Sequence, residues 1–251
     1  MRTIFVIGIG AGDPDYLTMQ AIKALNEVDV FFFIDKGSEK DDLIGLRTQI
    51  CERFIEGGDY RIVQAHDPER DREAAAYGDA VTDWHEQRAS LYEELIAKEL
   101  SQDGCGAFLV WGDPSLYDGT LRMIDRIMAR GRITFEYKVI PGISSVQALA
   151  ARHRIPLNRI GESIQIMTGR RLAAQPARAI DNVFVMLDAH CTFADLDDPQ
   201  LDIYWGAYLG TPDETLISGR LSEVASTIQA TRARLRERKG WIMDTYLLRR
   251  R

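Results

Sequence analysis

Three predicted strands, each followed at once by a glycine-bearing loop, constrain the fold of this chain most. Residues 3–9 lead into GIGAGD at 8–13, residues 106–111 into WGDPSLY at 111–117, and residues 135–140 into PGISS at 141–145. The predicted strands at residues 28–34 and 106–111 are continuous apolar runs, and such strands are typically buried on both faces of a parallel sheet. Because the carboxyl ends of parallel strands meet at one edge of the sheet, we expect the three loops to lie there together.

Helical patterns between the strands predict an α/β fold made of two α/β domains. Apolar residues recur at helical spacing in residues 17–28, and Asp15 precedes them as a candidate N-cap. Strands that alternate with helices indicate a mostly parallel sheet. A boundary near Pro156 gives an N-terminal domain of residues 1–155 and a shorter C-terminal domain of residues 156–251, and a ligand would bind in the cleft between them. In the second domain we expect strands at 164–168, 183–187, 203–209 and 241–248, and helices at 172–179 and 221–238.

The acidic balance of the chain argues against nucleic acid as its main ligand. Lys and Arg number 31 against 38 Asp and Glu among 251 residues, which gives a net charge of −7. Proteins that bind nucleic acid usually carry a net positive charge. A small polyanionic ligand is not excluded, because an overall charge does not describe a local patch.

Cysteine usage and apolar run lengths indicate a cytoplasmic protein with no membrane partner. Cys51, Cys105 and Cys191 form no CxxC pair and do not make a disulfide framework. The most apolar early run, residues 28–34, is far shorter than the roughly 20 residues that a membrane-spanning helix needs. The N-terminal residues show no signal-peptide cleavage pattern.

The first loop disfavours a dinucleotide. It has GxGxG where dinucleotide-binding turns have GxGxxG. Asp13 and Asp15 place carboxylates where a pyrophosphate would have to lie, which suits a ligand with a cationic reactive end instead. Each loop taken singly also fits an ordinary turn, and Ser144 fits a helix N-cap. Their joint occurrence along one sheet edge favours a shared ligand site.

Together the loops resemble the motifs of the tetrapyrrole methylase family, whose members use S-adenosylmethionine (SAM). The family's GxGxGD-x-x-x-LT opening is matched at residues 8–18, its GDP-x-x-(Y/F) loop at 112–117 and its PG(V/I)-(S/T)-(S/A) loop at 141–145. GTPDE at 210–214 is similar to the family's GT-x-P-E-Q stretch. The resemblance covers essentially the whole chain, and it implies a homodimer of two α/β domains with SAM in the cleft.

The motifs locate, in this sequence, the positions at which members of the family contact SAM. In the second domain one contact is an apolar residue at the end of the central strand, which is Met186 or Leu187 here. The SAM-binding residues that the resemblance implies are Ala11, Trp111, Gly112, Asp113, Ser144, Ser145, Met186 or Leu187, Leu209, Gly210 and Trp241.

Longer segments narrow the resemblance to members that methylate C1 of precorrin-5 and release its acetyl group as acetate, in cobalamin biosynthesis. These segments are IDKG at 34–37, FLVWGDPSLY at 108–117, SSVQALAARH at 144–153, YWGAYLGT at 204–211 and GWIMDTY at 240–246. The implied substrate is a small tetrapyrrole that carries several carboxylates.

The two chemical steps make different demands on side chains. Methyl transfer from a sulfonium needs orientation and no nucleophilic side chain. Acetate release needs water added to a ketone, so a base and a group that stabilises the oxyanion help. Asp113 and Tyr117 are the first catalytic candidates because their loop is near the expected cleft, and Asp188 and His190 follow. We expect no metal site at His190 and Cys191, since adjacent residues seldom ligate one ion.

Arginine and lysine are the expected partners of the substrate carboxylates. Lys36 follows a strand, and Arg170 and Arg171 follow the strand at 164–168. Arg47, Arg122 and Arg152 are weaker candidates. The charged residues 70–100 leave two interpretations open, a cover for the cleft or a dimer interface.

Three other functions compete with this interpretation. The chain could be a methyltransferase of the same fold that acts on a modified translation factor or on ribosomal RNA, although the acidic charge weighs against RNA. It could be a binding protein that kept the loops without catalysis. It could also be a nicotinamide oxidoreductase that holds the ribose with Asp35.

Overall fold

A computed structural model describes residues 1–35, 41–69 and 77–251 of the chain. The chain divides into two compact units. The first comprises Met1–Gly10 and Pro14–Ile143, and the second comprises Ala11–Asp13 and Ser144–Arg251. The sequence placed the boundary at Pro156, after the helix that begins at Ser145, whereas the units divide before that helix.

The first unit is built on a five-stranded parallel sheet, as the alternation of strands and helices predicted. Its strands are β1 (Arg2–Gly8), β2 (Val30–Asp35), β3 (Arg61–His66), β4 (Cys105–Val110) and β5 (Phe135–Ile140). Their order across the sheet is β3-β2-β4-β1-β5, and every neighbouring pair is parallel. The three strands that carry the glycine loops, β4, β1 and β5, are therefore adjacent.

Helices cover this sheet, and its strands β1, β2 and β4 are mostly buried. They are α1 (Met19–Leu25), α2 (Asp41–Phe54), α3 (Tyr77–Glu99) and α4 (Thr120–Arg130). Successive residues of β1 point to opposite faces, so Ile4 and Val6 join one buried cluster and Phe5 and Ile7 join another.

The first helix begins later than the sequence predicted. Its N-cap is Thr18, whose hydroxyl accepts a 3.0 Å hydrogen bond from the backbone N–H of Ala21. Asp15 was wrong as the cap, because it lies in a separate 3-10 turn and forms an ion pair with Arg53 at 2.5 Å.

The second unit also combines helices with a five-stranded sheet. It contains α5 (Ser145–His153), β6 (Gln165–Thr168), α6 (Gly169–Ala173), β7 (Asn182–Met186), β8 (Leu201–Ala207), β9 (Thr215–Arg220), α7 (Leu221–Lys239) and β10 (Asp244–Arg250). The strand order is β6-β7-β10-β8-β9, with β6 and β7 parallel and the other pairs antiparallel. The predicted two-part α/β fold class is thus confirmed.

Several boundaries of the second unit differ from the sequence-based expectations. The helix expected at 172–179 is the short α6, which ends at Ala173 and is followed by a separate 3-10 turn. The last strand starts at Asp244, so Trp241 precedes it. The edge strand β9 was not predicted, because a half-exposed edge strand needs no continuous apolar run. No helix in the described parts of the chain is both long and apolar enough to cross a membrane.

Candidate functional site

The three glycine loops of the first unit meet in a crevice that leaves no room for side chains. A Cβ on Gly142 would come well inside 3.0 Å of the Gly112 carbonyl oxygen and 2.8 Å from the Cα of Gly8. A Cβ on Gly8 would lie 2.6 Å from the Gly142 nitrogen. Contacts this close need glycine at both positions, and they confirm that the carboxyl ends of β1, β4 and β5 form one edge.

Backbone and carboxylate hydrogen bonds tie these loops together. Gly112 N–H donates to the Gly10 carbonyl at 2.8 Å, and Gly10 N–H donates back at 3.3 Å. Asp113 joins the second loop to the third, because its Oδ2 accepts from Gly142 N–H at 2.9 Å. Its Oδ1 accepts from the backbone N–H and the hydroxyl of Ser115.

The environment of Asp113 keeps its carboxyl ionised. Partial burial opposes the charge, but the hydrogen bonds from Ser115 and Gly142 outweigh burial and hold the pKa of Asp113 below its ordinary value. Both oxygens are engaged by loop donors. Asp113 therefore joins the two loops in this structure through a hydrogen bond from a backbone N–H to its carboxylate.

Two buried polar atoms at predicted cofactor positions have no hydrogen-bond partner among the described residues. They are the indole Nε1 of Trp111 and the hydroxyl of Ser145. Leaving such atoms unsatisfied costs about 1–3 kcal/mol each. Ser144 differs, because it caps α5 in a capping box with Gln147.

The tip of the first loop belongs to the second unit, where it lies against the turn after β8. Ala11 is 2% exposed. A Cβ on Gly12 would come well inside 3.0 Å of the Leu209 carbonyl oxygen. Gly210 N–H donates to Glu214 at 2.8 Å, which fixes this turn. The structure thus brings together Ala11, Leu209 and Gly210, which the sequence had predicted as separate cofactor contacts.

Met186 and Leu187 differ in exposure. Met186 is the last residue of β7 and is half-buried, whereas Leu187 has φ +55° and is 66% exposed. The sequence analysis expected these residues at the end of the central strand. They end β7, which is the second strand of its sheet. Trp241 packs edge-on against Tyr208, with ring centroids 5.4 Å apart, and its carbonyl accepts the Tyr208 hydroxyl at 2.6 Å.

The catalytic candidates occupy contrasting environments. Tyr117 has φ +53° and is 44% exposed, and desolvation raises the pKa of its phenol, which therefore keeps its proton at neutral pH. Asp188 is buried, and its carboxylate accepts from Thr192 N–H and Tyr246 OH at 2.7 Å. It is a structural anchor rather than an available base. His190 is exposed.

The predicted substrate-binding cations are spread over both units. Arg170 and Arg171 are exposed on α6, directly after β6. Lys36 lies outside the described residues. Arg152 forms an ion pair with Glu214 at 2.5 Å, and Arg47 donates to the Leu109 carbonyl at 3.1 Å while burial lowers the pKa of its guanidinium.

The sequence-based interpretation did not consider one pair of titratable side chains. Asp35 and His66 end the neighbouring strands β2 and β3 and are register partners. Each position is visible in the sequence as the end of a strand. Their pairing depends on the strand order, which the sequence did not supply.

Comparison with known proteins identifies the family. The model of Tetrapyrrole (Corrin/Porphyrin) Methylases matches residues 3–225. Precorrin-6A synthase (deacetylating) of Sinorhizobium sp is 51% identical over 249 residues, which are 99% of this chain and 95% of that protein.

Solved structures show the same fold. That of a putative cobalamin synthesis related protein (CobF) from Corynebacterium diphtheriae is 41% identical with a TM-score of 0.87, and the match covers 100% of this chain and 99% of that one. Uroporphyrin-III C-methyl transferase from Thermus thermophilus, complexed with S-adenyl homocysteine, is 18% identical with a TM-score of 0.58, covering 98% and 92%. This chain belongs to the tetrapyrrole methylase family.

Proposed function

We propose that the protein is a SAM-dependent C1-methyltransferase that converts precorrin-5 to precorrin-6A with release of acetate, the reaction of a precorrin-6A synthase (deacetylating) in cobalamin biosynthesis. The observation that carries the proposal is the 51% identity to the Sinorhizobium relative over nearly the full length of both chains. The family resemblance further supports a homodimer. The three free cysteines are in keeping with a cytoplasmic enzyme.

The residues that would hold SAM come from both units. In the first unit they are Trp111, Gly112 and Asp113, which surround the glycine crevice. The second unit offers Ala11, Ser144, Ser145, Met186 or Leu187, Leu209, Gly210 and Trp241. The unsatisfied Trp111 Nε1 and Ser145 hydroxyl would gain hydrogen-bond partners from the bound cofactor. When bound, SAM supplies an electrophilic methyl group on a sulfonium.

The chain's main contribution to methyl transfer is orientation. Holding two reactants in the geometry for in-line displacement can lower the barrier by about 7–11 kcal/mol. Asp113 serves this end by fixing the second loop to the third through Gly142. Tyr117, an exposed and protonated residue of the second loop, would donate a hydrogen bond to an oxygen of the substrate.

Product analysis tests this function directly. Incubation with methyl-labelled SAM and precorrin-5 is expected to give a product that carries the label at C1 by NMR, together with one acetate per methyl transferred. A label at another carbon, or absence of acetate, would contradict the proposal. Thermal shift adds an independent check: SAM and S-adenosylhomocysteine should stabilise the protein and NAD should not. Stabilisation by NAD alone would instead support a nicotinamide enzyme.

We expect the double variant Arg170→Ala/Arg171→Ala to raise the KM for precorrin-5 while leaving SAM affinity unchanged. Both residues are exposed on α6, where guanidinium groups can pair with substrate carboxylates. Solvent-exposed ion pairs contribute up to about 1 kcal/mol each, so KM should rise about 5- to 20-fold. Steady-state kinetics and calorimetric titration of SAM measure the two effects. Arg234→Ala, which removes an exposed cation from α7, is the matched control; an unchanged KM in the double variant would show that the basic patch lies elsewhere.

A further inference from the structure

The strand order divides the carboxyl edge of the first sheet into two halves of different chemistry. The ends of β4, β1 and β5 carry the glycine loops. The ends of β2 and β3 lie beside them and carry Asp35, His66 and Asp67. Neighbouring strands are about 4.8 Å apart, so a tetrapyrrole can reach from one half to the other. The second half is therefore placed to act on a substrate held at the first.

Asp35 and His66 form a carboxylate–imidazole pair in this second half. The Nδ1 atom of His66 lies 3.3 Å from Oδ2 of Asp35. The Asp35 side chain is 23% exposed and that of His66 is 79% exposed. Asp35 therefore orients the ring through Nδ1, and Nε2 is the nitrogen left to exchange protons with water or a ligand.

Hydrogen bonds and a buried ion pair of the next residue, Asp67, fix the backbone that carries the pair. Asp67 N–H donates to the Asp35 carbonyl at 2.8 Å, which extends the β2–β3 pairing past His66. The Asp67 carboxylate accepts from Arg88 Nε at 2.6 Å, and both side chains are more than nine-tenths buried. The Arg88 guanidinium lies over the Trp84 ring, 4.8 Å from its centroid. A buried ion pair of this kind holds the exposed imidazole at a fixed place on the sheet edge.

We propose that His66, oriented by Asp35, is the general base for removal of the acetyl group; the inference rests on the proposed function. Nε2 takes a proton from water as the water oxygen bonds to the acetyl carbonyl carbon, and the carbonyl electron pair moves to oxygen. When the carbonyl re-forms, the bond from the acetyl carbon to C1 breaks, and its electron pair passes to C1, the atom that is methylated. Acetic acid leaves and ionises, and the imidazolium returns its proton to solvent.

This assignment fits the site better than the acidic residues considered from the sequence. The Asp113 carboxylate is engaged by Ser115 and Gly142, and Asp188 is buried among structural donors. Imidazole is the side-chain group that most often serves as a general acid or base in enzymes. His66 combines this chemistry with exposure at the edge where ligands of open α/β sheets bind.

The test follows acetate release in His66→Ala, with precorrin-5 and SAM, against wild type and His85→Gln. His85 lies on α3, with its ring tilted against that of Trp84 at 5.2 Å between centroids, and serves as the matched control. We expect His66→Ala to slow acetate release about 100-fold with SAM affinity unchanged, and added imidazole to restore part of the rate. Asp35→Asn should slow the same step less and leave the KM for precorrin-5 unchanged, as a positioning residue would.

The outcomes separate this proposal from the one it rests on. Wild type that forms neither acetate nor methylated product would refute the proposed function itself. Wild type that forms both, with His66→Ala equally fast, would overturn the role of His66 alone. A slow His66→Ala that imidazole does not rescue, with a raised KM for precorrin-5, would also overturn it by assigning His66 to substrate binding.

Discussion

Replacing Gly142 by alanine is expected to weaken SAM binding at least about 100-fold, or about 2.7 kcal/mol. The new Cβ would come well inside 3.0 Å of the Gly112 carbonyl oxygen and 2.8 Å from Gly8, and both neighbours are backbone that cannot rotate away. The three loops would have to separate. The Gly142 N–H bond to Asp113 would be strained as well, so the link between the second and third loops would loosen. Calorimetric titration with SAM measures the loss.

Gly45→Ala is the matched control for this substitution. Gly45 lies in α2, and a Cβ there would meet nothing within 4 Å. Because glycine inside a helix is less favourable than alanine by about 0.5–1 kcal/mol, this variant should be slightly more stable and bind SAM as wild type does. If Gly142→Ala bound SAM with wild-type affinity, the glycine crevice would not be the cofactor site.

Replacing Asp188 by alanine is expected to destabilise the second unit by about 3–5 kcal/mol. The carboxylate is 6% exposed and accepts from the Thr192 backbone and hydroxyl, from His190 N–H and from Tyr246 OH. Burial and the neighbouring Asp188 raise the pKa of Tyr246, so the phenol remains a donor and would lose its acceptor. Urea unfolding, followed by a probe in the second unit, measures the change.

Tyr246→Phe separates the contribution of one donor from that of the whole network. It removes a single hydrogen bond to the Asp188 carboxylate and should cost about 1.5–3 kcal/mol. If Asp188→Ala kept wild-type stability and lost turnover instead, Asp188 would be a catalytic group and its structural role would be refuted.

Residue patterns along the sequence were sufficient to predict most strands of the first sheet and the family. Residue patterns at the sequence level predicted β1, β2, β4 and β5, the last at residues 135–140. Glycine loops at the strand ends indicated the family, which the comparisons confirmed. The predictions failed where tertiary contacts decide a boundary: Thr18, not Asp15, caps α1, and β9 is an edge strand without an apolar signal.

The assignments of the carboxylates could not be made from the sequence, because their partners are distant along the chain. Asp113 looked like a candidate base, and only the approach of Gly142 showed that its charge joins two loops. The structural role of Asp188, another candidate base, likewise follows from a distant partner. Tyr246, a residue of β10, donates its hydroxyl hydrogen bond to the Asp188 carboxylate. Ser144 and Ser145 looked alike, yet one caps a helix and the other is buried without a partner among the described residues.

The sequence by itself determined the strand–glycine–helix units and the family, since the spacing of apolar residues and the composition of loops are local properties of a chain. Only the tertiary structure decided that β4, β1 and β5 lie side by side and that Asp35 faces His66 across β2 and β3. The physical reason is that parallel strands are joined by long crossovers, so which strands become neighbours depends on how the helices pack and not on order along the chain.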